Sequence, residues 1–211
     1  MLTVKSFTFN PIQENTYIVY NQNRKAVIFD PGCFFEEEKN LLKQFIEENK
    51  LVPIQLINTH CHLDHVFGNK FIHDTYGLEL YIHPKEQMML EYAPISGQQY
   101  GLSFENYKGN IHFLKEEDKI EIEEEELTIL FTPGHSPGHL SFYNRKANFA
   151  IVGDVLFYES IGRTDLPGGD YDTLISSIEQ KLYTLPNNTK VFSGHGPTTT
   201  IGYEKDNNPF F

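Results

Sequence analysis

NTHCHLDHVFGN, residues 58–69, places His60, His62, Asp64 and His65 within six consecutive positions, at the end of the apolar run LVPIQLIN (51–58). Side chains along an extended segment alternate sides, so His60 and His62 face the same way and form a pincer for one cation at a strand end. Asp64 and His65 follow where the chain turns toward a helix. They project from a different backbone direction, which suits a second cation close to the first. With 9 His in 211 residues, the pattern H-x-H-x-D-H has an expected chance occurrence of about 0.0007 per chain of this length. A metal centre is the reading from which the rest proceeds.

Working outward, LVPIQLIN reads as a buried strand preceded by a helix over Phe35–Asn49, where Leu41, Leu42, Phe45 and Ile46 recur at helical spacing. Before it, Leu2–Phe9, Thr16–Tyr20 and Lys25–Phe29 alternate as strands of an antiparallel start, stopped by Asp30-Pro31-Gly32. After it come a helix over Val66–Tyr76 ending at Gly77, a strand LELYIH and a short helix over Pro84–Tyr92 with proline at its start. Ala93–Asn110 has no clean period and reads as a loop, on the surface or bordering a pocket. KIEIEEEELTILFTPG, HLSFYN and NFAIVGD read as strands, Tyr171–Leu185 as an amphipathic helix, and KVFSGHG as a last strand. No linker or short-period repeat interrupts this order, so the expectation is a single α/β domain over residues 1–211, with helices layered on sheet.

Composition narrows the functions. The net charge of -12 repels phosphate backbones and anionic lipid, which argues against nucleic-acid and membrane partners. The acidic runs Glu36–Glu38 and Glu121–Glu126 read as a solvated helix face and a solvated hairpin. No stretch reaches the roughly 18 apolar residues of a membrane span, and the N-terminal segment lacks the pattern of a secretory signal, so a cytoplasmic protein is expected. Cys33 and Cys61, the only two cysteines, are too few for a disulfide framework and read as reduced thiols.

Two metals with an open coordination position need about seven or eight donor contacts, so further ligands are required. His135 in FTPGHSPGH (131–139), Asp154 after FAIVG (149–153) and His195 in VFSGHGP (191–197) each sit at a predicted strand end. A carboxylate at Asp154 suits a bridge, one oxygen to each metal. His139 and Asp30 read as hydrogen-bonding partners that orient the ligands, with a turn-forming role as the alternative for Asp30. His73, His83 and His112 lie in predicted helix or strand without ligand chemistry around them. Imidazole and carboxylate suit zinc, iron and manganese alike, and zinc is taken as the default for two divalent metal ions.

In this order, His60-x-His62-x-Asp64-His65, His135, Asp154 and His195 resemble the metallo-β-lactamase-fold hydrolases over essentially the whole chain. That resemblance implies a four-layer αβ/βα sandwich, with His60, His62, His135 and Asp154 on one metal and Asp64, His65, His195 and Asp154 on the other. SIGRTDLPGGDYDTL (160–174) and GHGPTTTIGYEKDNNPFF (194–211) are similar to the glyoxalase II branch, especially its short bacterial form of hydroxyacylglutathione hydrolase. The long form adds a C-terminal helical domain that helps to hold glutathione. By the same resemblance Arg163 borders the thiol carrier, where a guanidinium can grip a carboxylate; an ion pair with Asp165 or Asp170 is the structural alternative.

The implied reaction is hydrolysis of a small-molecule thioester such as S-D-lactoylglutathione, two metals lowering the pKa of a shared water toward about 7 and Asp64 taking the proton left behind. A persulfide dioxygenase is the first alternative, since that group shares the fold and a GRTD stretch but uses one iron on His62 or His60, His135 and Asp154. A lactonase or β-lactamase is the next. A non-catalytic module would need closed four-ligand sites, which this donor set does not resemble.

Overall fold

Alternation in the first residues builds an antiparallel ribbon. β1 (Thr3–Phe9) turns Phe7 and Phe9 inward and pairs with β2 (Glu14–Tyr20), which pairs with β3 (Lys25–Phe29). β2 and β3 are buried along almost their full length, as expected of central strands covered on both faces. The computed structural model describes the whole chain, Met1–Phe211.

Beyond β3 the sheet grows in parallel through helical crossovers. α1 (Glu36–Glu48) leads to β4 (Val52–Ile57), and α2 (Leu63–Val66) and α3 (Asn69–Tyr76) lead to β5 (Leu80–Ile82). A 3₁₀ turn at Pro84–Glu86 and α4 (Gln87–Gln99) precede β6 (Ile111–Phe113), giving the order β1-β2-β3-β4-β5-β6. Ile28, Leu42, Leu56, Ile72 and Ile82 meet in one fully buried cluster.

The remaining strands are β7 (Lys119–Ile122), β8 (Glu125–Phe131), β9 (Leu140–Asn144), β10 (Phe149–Gly153), a two-strand hairpin β11 (Leu156–Phe157) and β12 (Ser160–Ile161), β13 (Lys190–Ser193) and β14 (Thr199–Thr200). Six of them form a second sheet, β14-β13-β10-β9-β8-β7, in which β10 and β13 run parallel, and β11 and β12 pair separately. α5 (Tyr171–Ser177) continues as a π-helical turn, Ile178–Leu182, and α6 (Ile201–Asn207) closes the chain. Val152, Leu156, Leu174, Ile178, Val191 and Ile201 form this part's own core. The chain divides into two compact units, Met1–Leu114 with Ile122–Glu125, and Lys115–Glu121 with Glu126–Phe211. No helix is long and apolar enough to cross a membrane, and both cysteines are free and buried.

The segment expected to be a loop from Ala93 is helical as far as Gln99, with Pro94 inside α4. Proline has no N–H for the carbonyl four residues back, so Leu90 O would be left without its helical donor. Asn106 Nδ2 supplies one at 2.6 Å. Asn106→Ala is expected to destabilise the protein by about 1–2 kcal/mol in urea unfolding. The loss should shrink in a Pro94→Ala background, where residue 94 regains its own N–H. Equal losses in both backgrounds would refute this account.

The helix expected over Val66–Tyr76 starts earlier and breaks at Phe67 and Gly68, the two residues between α2 and α3. At Gly68 the backbone presses so close that a Cβ would lie 2.5 Å from Cys33 Sγ and 2.6 Å from Pro31 O. The acidic runs are only partly solvated. Glu38 accepts from the amides of Asn10, Phe34 and Phe35 at 2.6, 2.7 and 3.0 Å, capping α1. Glu125 is buried and meets the amino group of Met1 at 2.7 Å. The β11–β12 hairpin and α6 had no expected counterpart.

Candidate metal centre

In the first unit β3 and β4 end side by side, and their ends deliver Asp30 and the Asn58–His60 segment. Asp30 takes a positive φ of 47° and grips Thr59 twice. Its Oδ1 accepts from the Thr59 amide and its Oδ2 from the Thr59 hydroxyl, both at 2.7 Å. That hydroxyl, having given its proton to Asp30, accepts from His60 Nδ1 at 3.0 Å. With the proton on Nδ1, His60 Nε2 carries the lone pair a metal needs. Asp30 Oδ2 also lies 3.2 Å from His65 Nδ1, close enough for electrostatic attraction. Asp30, His60 and His65 have donor atoms within 4.8 Å of one another, and both Asp30 oxygens are engaged by Thr59.

The turn that carries Asp64 and His65 is pinned from behind. Asn10 Nδ2 donates to Asp64 O at 3.1 Å, and Asn58 Nδ2 donates to His65 O at 2.8 Å while its own oxygen accepts from Asn69. The His60 ring centroid lies 4.7 Å from that of His62 and 4.1 Å from that of His65, and His65 Nε2 is 3.7 Å from Asp64 Oδ2. Glu14 is fully buried with Oε1 3.9 Å from His65 Nδ1. Burial pushes its carboxyl well up from the usual range, against the pull of His65.

The second unit presents its own set, each residue just past a strand: His135 after β8, Asp154 after β10 and His195 after β13. Asp154 Oδ2 is 3.5 Å from both His135 Nε2 and His195 Nε2, so both imidazoles approach the same oxygen. That spacing is long for a hydrogen bond, but donors sharing a tetrahedral ion at about 2.0–2.1 Å sit roughly 3.3–3.4 Å apart. His135 Nδ1 donates to Arg163 O at 2.7 Å, which leaves the lone pair on Nε2. Behind them, His139 Nε2 accepts from the Asp154 amide at 3.1 Å, and its Nδ1 meets Thr132 Oγ1 at 3.3 Å.

The Arg163 side chain is exposed and forks onto Asp165 with contacts of 2.7 and 2.8 Å, and this guanidinium holds the Asp165 carboxyl down to about 2. His73 donates to Leu78 O, His83 accepts from the Lys85 amide, and His112 pairs with Glu79.

The donor set fits divalent metal on a further ground. Asp64 and Asp154 are buried carboxylates, each beside buried imidazoles of its own unit, and oxygen and nitrogen donors of this kind are what zinc, iron and manganese take. Sequence reading passed over Thr59, Glu14 and Glu86. Thr59 stands beside His60 in INTHCH and could have been suspected, whereas the two glutamates come from separate elements and carry no local signal.

The Metallo-beta-lactamase superfamily profile matches residues 9–195. Hydroxyacylglutathione hydrolase GloC of Haemophilus influenzae is 36% identical over 99% of this chain and 98% of its own length. Among solved structures, the BLEG-1 B3 metallo-beta-lactamase aligns with a TM-score of 0.91 at 41% identity, covering 99% of each chain. TTHA1623 in a di-iron-bound form aligns at 0.89 and 35%, covering 98% of this chain and all of its own. The mixed α/β architecture with two sheets and flanking helices matches the expected fold class.

Proposed function

This chain belongs to the metallo-beta-lactamase superfamily, and from that premise we propose that it is a metallo-hydrolase that uses two divalent ions to cleave a thioester of the S-D-lactoylglutathione type. His60, His62 and His135 would share one ion with Asp154, and Asp64, His65 and His195 the other with the same Asp154. Divalent ions held there lower the pKa of water from about 15.7 toward 7 and polarise a carbonyl. The chain's own part is to orient. Asp30, through Thr59 on His60 and by its charge beside His65, and the Arg163 carbonyl on His135, would hold these rings for an ion bound there. Asp64 is placed to take up the proton that the attacking water gives off. The Arg163 guanidinium would greet an anionic thiol carrier by exchanging Asp165 for it.

The observation that carries the thioester reading is the end-to-end match with GloC. The likeness to the BLEG-1 β-lactamase supports β-lactam hydrolysis as a second reading. The donors suit zinc, and the di-iron form of TTHA1623 supports iron at the same positions. Two buried free thiols and an acidic surface fit a protein of a reducing cytoplasm that acts on small molecules rather than on nucleic acid or membranes.

The test loads the protein separately with zinc and iron, counts metal, and assays S-lactoylglutathione, a chromogenic β-lactam and oxygen uptake with a persulfide in parallel. Two equivalents of metal and thioester turnover well above β-lactam turnover are expected. One tight iron with oxygen uptake, or β-lactam turnover dominating, would replace the reading.

A further inference from the structure

Glu86 ends the 3₁₀ turn Pro84–Glu86 that precedes α4. It is fully buried, and its Oε2 accepts from the backbone amide of Cys61 at 2.8 Å. Cys61 is the residue between His60 and His62, and it too is wholly buried. A fully buried side chain that reaches from the 3₁₀ turn to this backbone amide points to a task at the loop.

The amide that Glu86 holds belongs to the peptide joining His60 to Cys61, so the setting of that peptide governs how the backbone presents the two histidines. The other side of the loop is held by Asp30, through the amide and hydroxyl of Thr59. Two carboxylates from distant elements thus hold this loop on either side of His60. We propose that Glu86 is a positioning residue for the metal centre, fixing the His60–His62 pair through the Cys61 amide. This rests on His60 and His62 being metal ligands, as in the function proposed above.

The test measures zinc affinity by competition with a chromogenic chelator, with urea unfolding of the metal-free proteins as control. Glu86→Gln keeps an acceptor for the Cys61 amide, and its affinity should stay within about threefold of the starting protein. Glu86→Leu removes the acceptor at similar volume and should weaken binding by about 10–100-fold, the range for losing a group that orients a ligand. Glu86→Asp keeps the charge but draws it back by one methylene. It should lose affinity in the same way, and it serves if the leucine variant does not fold.

Equal affinities for the unsubstituted, aspartate and leucine proteins would overturn the assignment, as would a glutamine variant as weak as leucine, which would put charge above position. Unsubstituted protein that binds no zinc would instead sink the premise about His60 and His62. Affinity losses that only track lower stability of the metal-free variants would make Glu86 a fold residue and end the proposal.

Discussion

Asp154→Ala protein is expected to fold, to lose tight binding of both metals, and to hydrolyse its substrate roughly 10³-fold more slowly or worse, the scale set by losing a key electrostatic contact in a catalytic site. The fold should survive because the anchor of residue 154 is its amide, which donates to His139 Nε2, and alanine keeps that amide. What disappears is Oδ2, the oxygen that His135 Nε2 and His195 Nε2 both approach at 3.5 Å. Two imidazoles would then converge on a gap, and any cations they held would face each other without the shared negative charge. Asp154→Asn keeps the shape and loses the charge, so it should retain some metal yet remain severely slowed. Elemental analysis, circular dichroism and turnover on the same preparations check this. A folded Asp154→Ala protein with two metals and near-normal turnover would remove the bridge from the mechanism.

The second large effect is expected at Asp30, and it divides into two measurements. Alanine there strips the acceptor from the Thr59 amide and hydroxyl in a fully buried place and removes the negative charge beside His65 Nδ1. Breaking such a network costs roughly 3–5 kcal/mol, and the φ of 47° adds strain for alanine, which tolerates that region less well than Asp or Asn. Asp30→Asn fits the backbone and keeps one accepting oxygen, so it should unfold at a urea midpoint nearer the original. Its NH₂ group cannot accept, so one of the two Thr59 bonds and the charge beside His65 are lost, and metal affinity should still fall by about 10–100-fold. An unchanged midpoint for alanine would count against the network, and unchanged metal affinity for asparagine against its orienting role.

Much of the architecture around these residues could be read from the chain itself, because periodicity and punctuation agree there. Alternation marks β1 to β3, the heptad-like spacing of Leu42 and Ile46 marks α1, and His135, Asp154 and His195 each follow an apolar strand that the structure keeps as β8, β10 and β13. What escaped reading was set by partners far along the chain. Proline at 94 forecasts a break, and the helix persists because Asn106 satisfies the carbonyl that proline abandons. The run Glu121–Glu126 reads as solvent-facing, yet Glu125 turns inward to the Met1 amino group. Glu86 and Glu14 look like ordinary surface acids until the fold buries them.

The contact between His135 Nδ1 and the carbonyl of Arg163 bears on how such a protein can change its chemistry over evolutionary time. A carbonyl belongs to the chain and not to the side chain, so no substitution at position 163 can delete it while the backbone keeps its path. That path is guarded next door, where any Cβ on Gly162 would fall 1.9 Å from Asp154 O. Residue 162 is therefore frozen and residue 163 is free to drift. A library randomised at 163 should retain its metal in nearly every member while its preference among substrates diverges, and the same library at 162 should yield almost nothing but inactive protein.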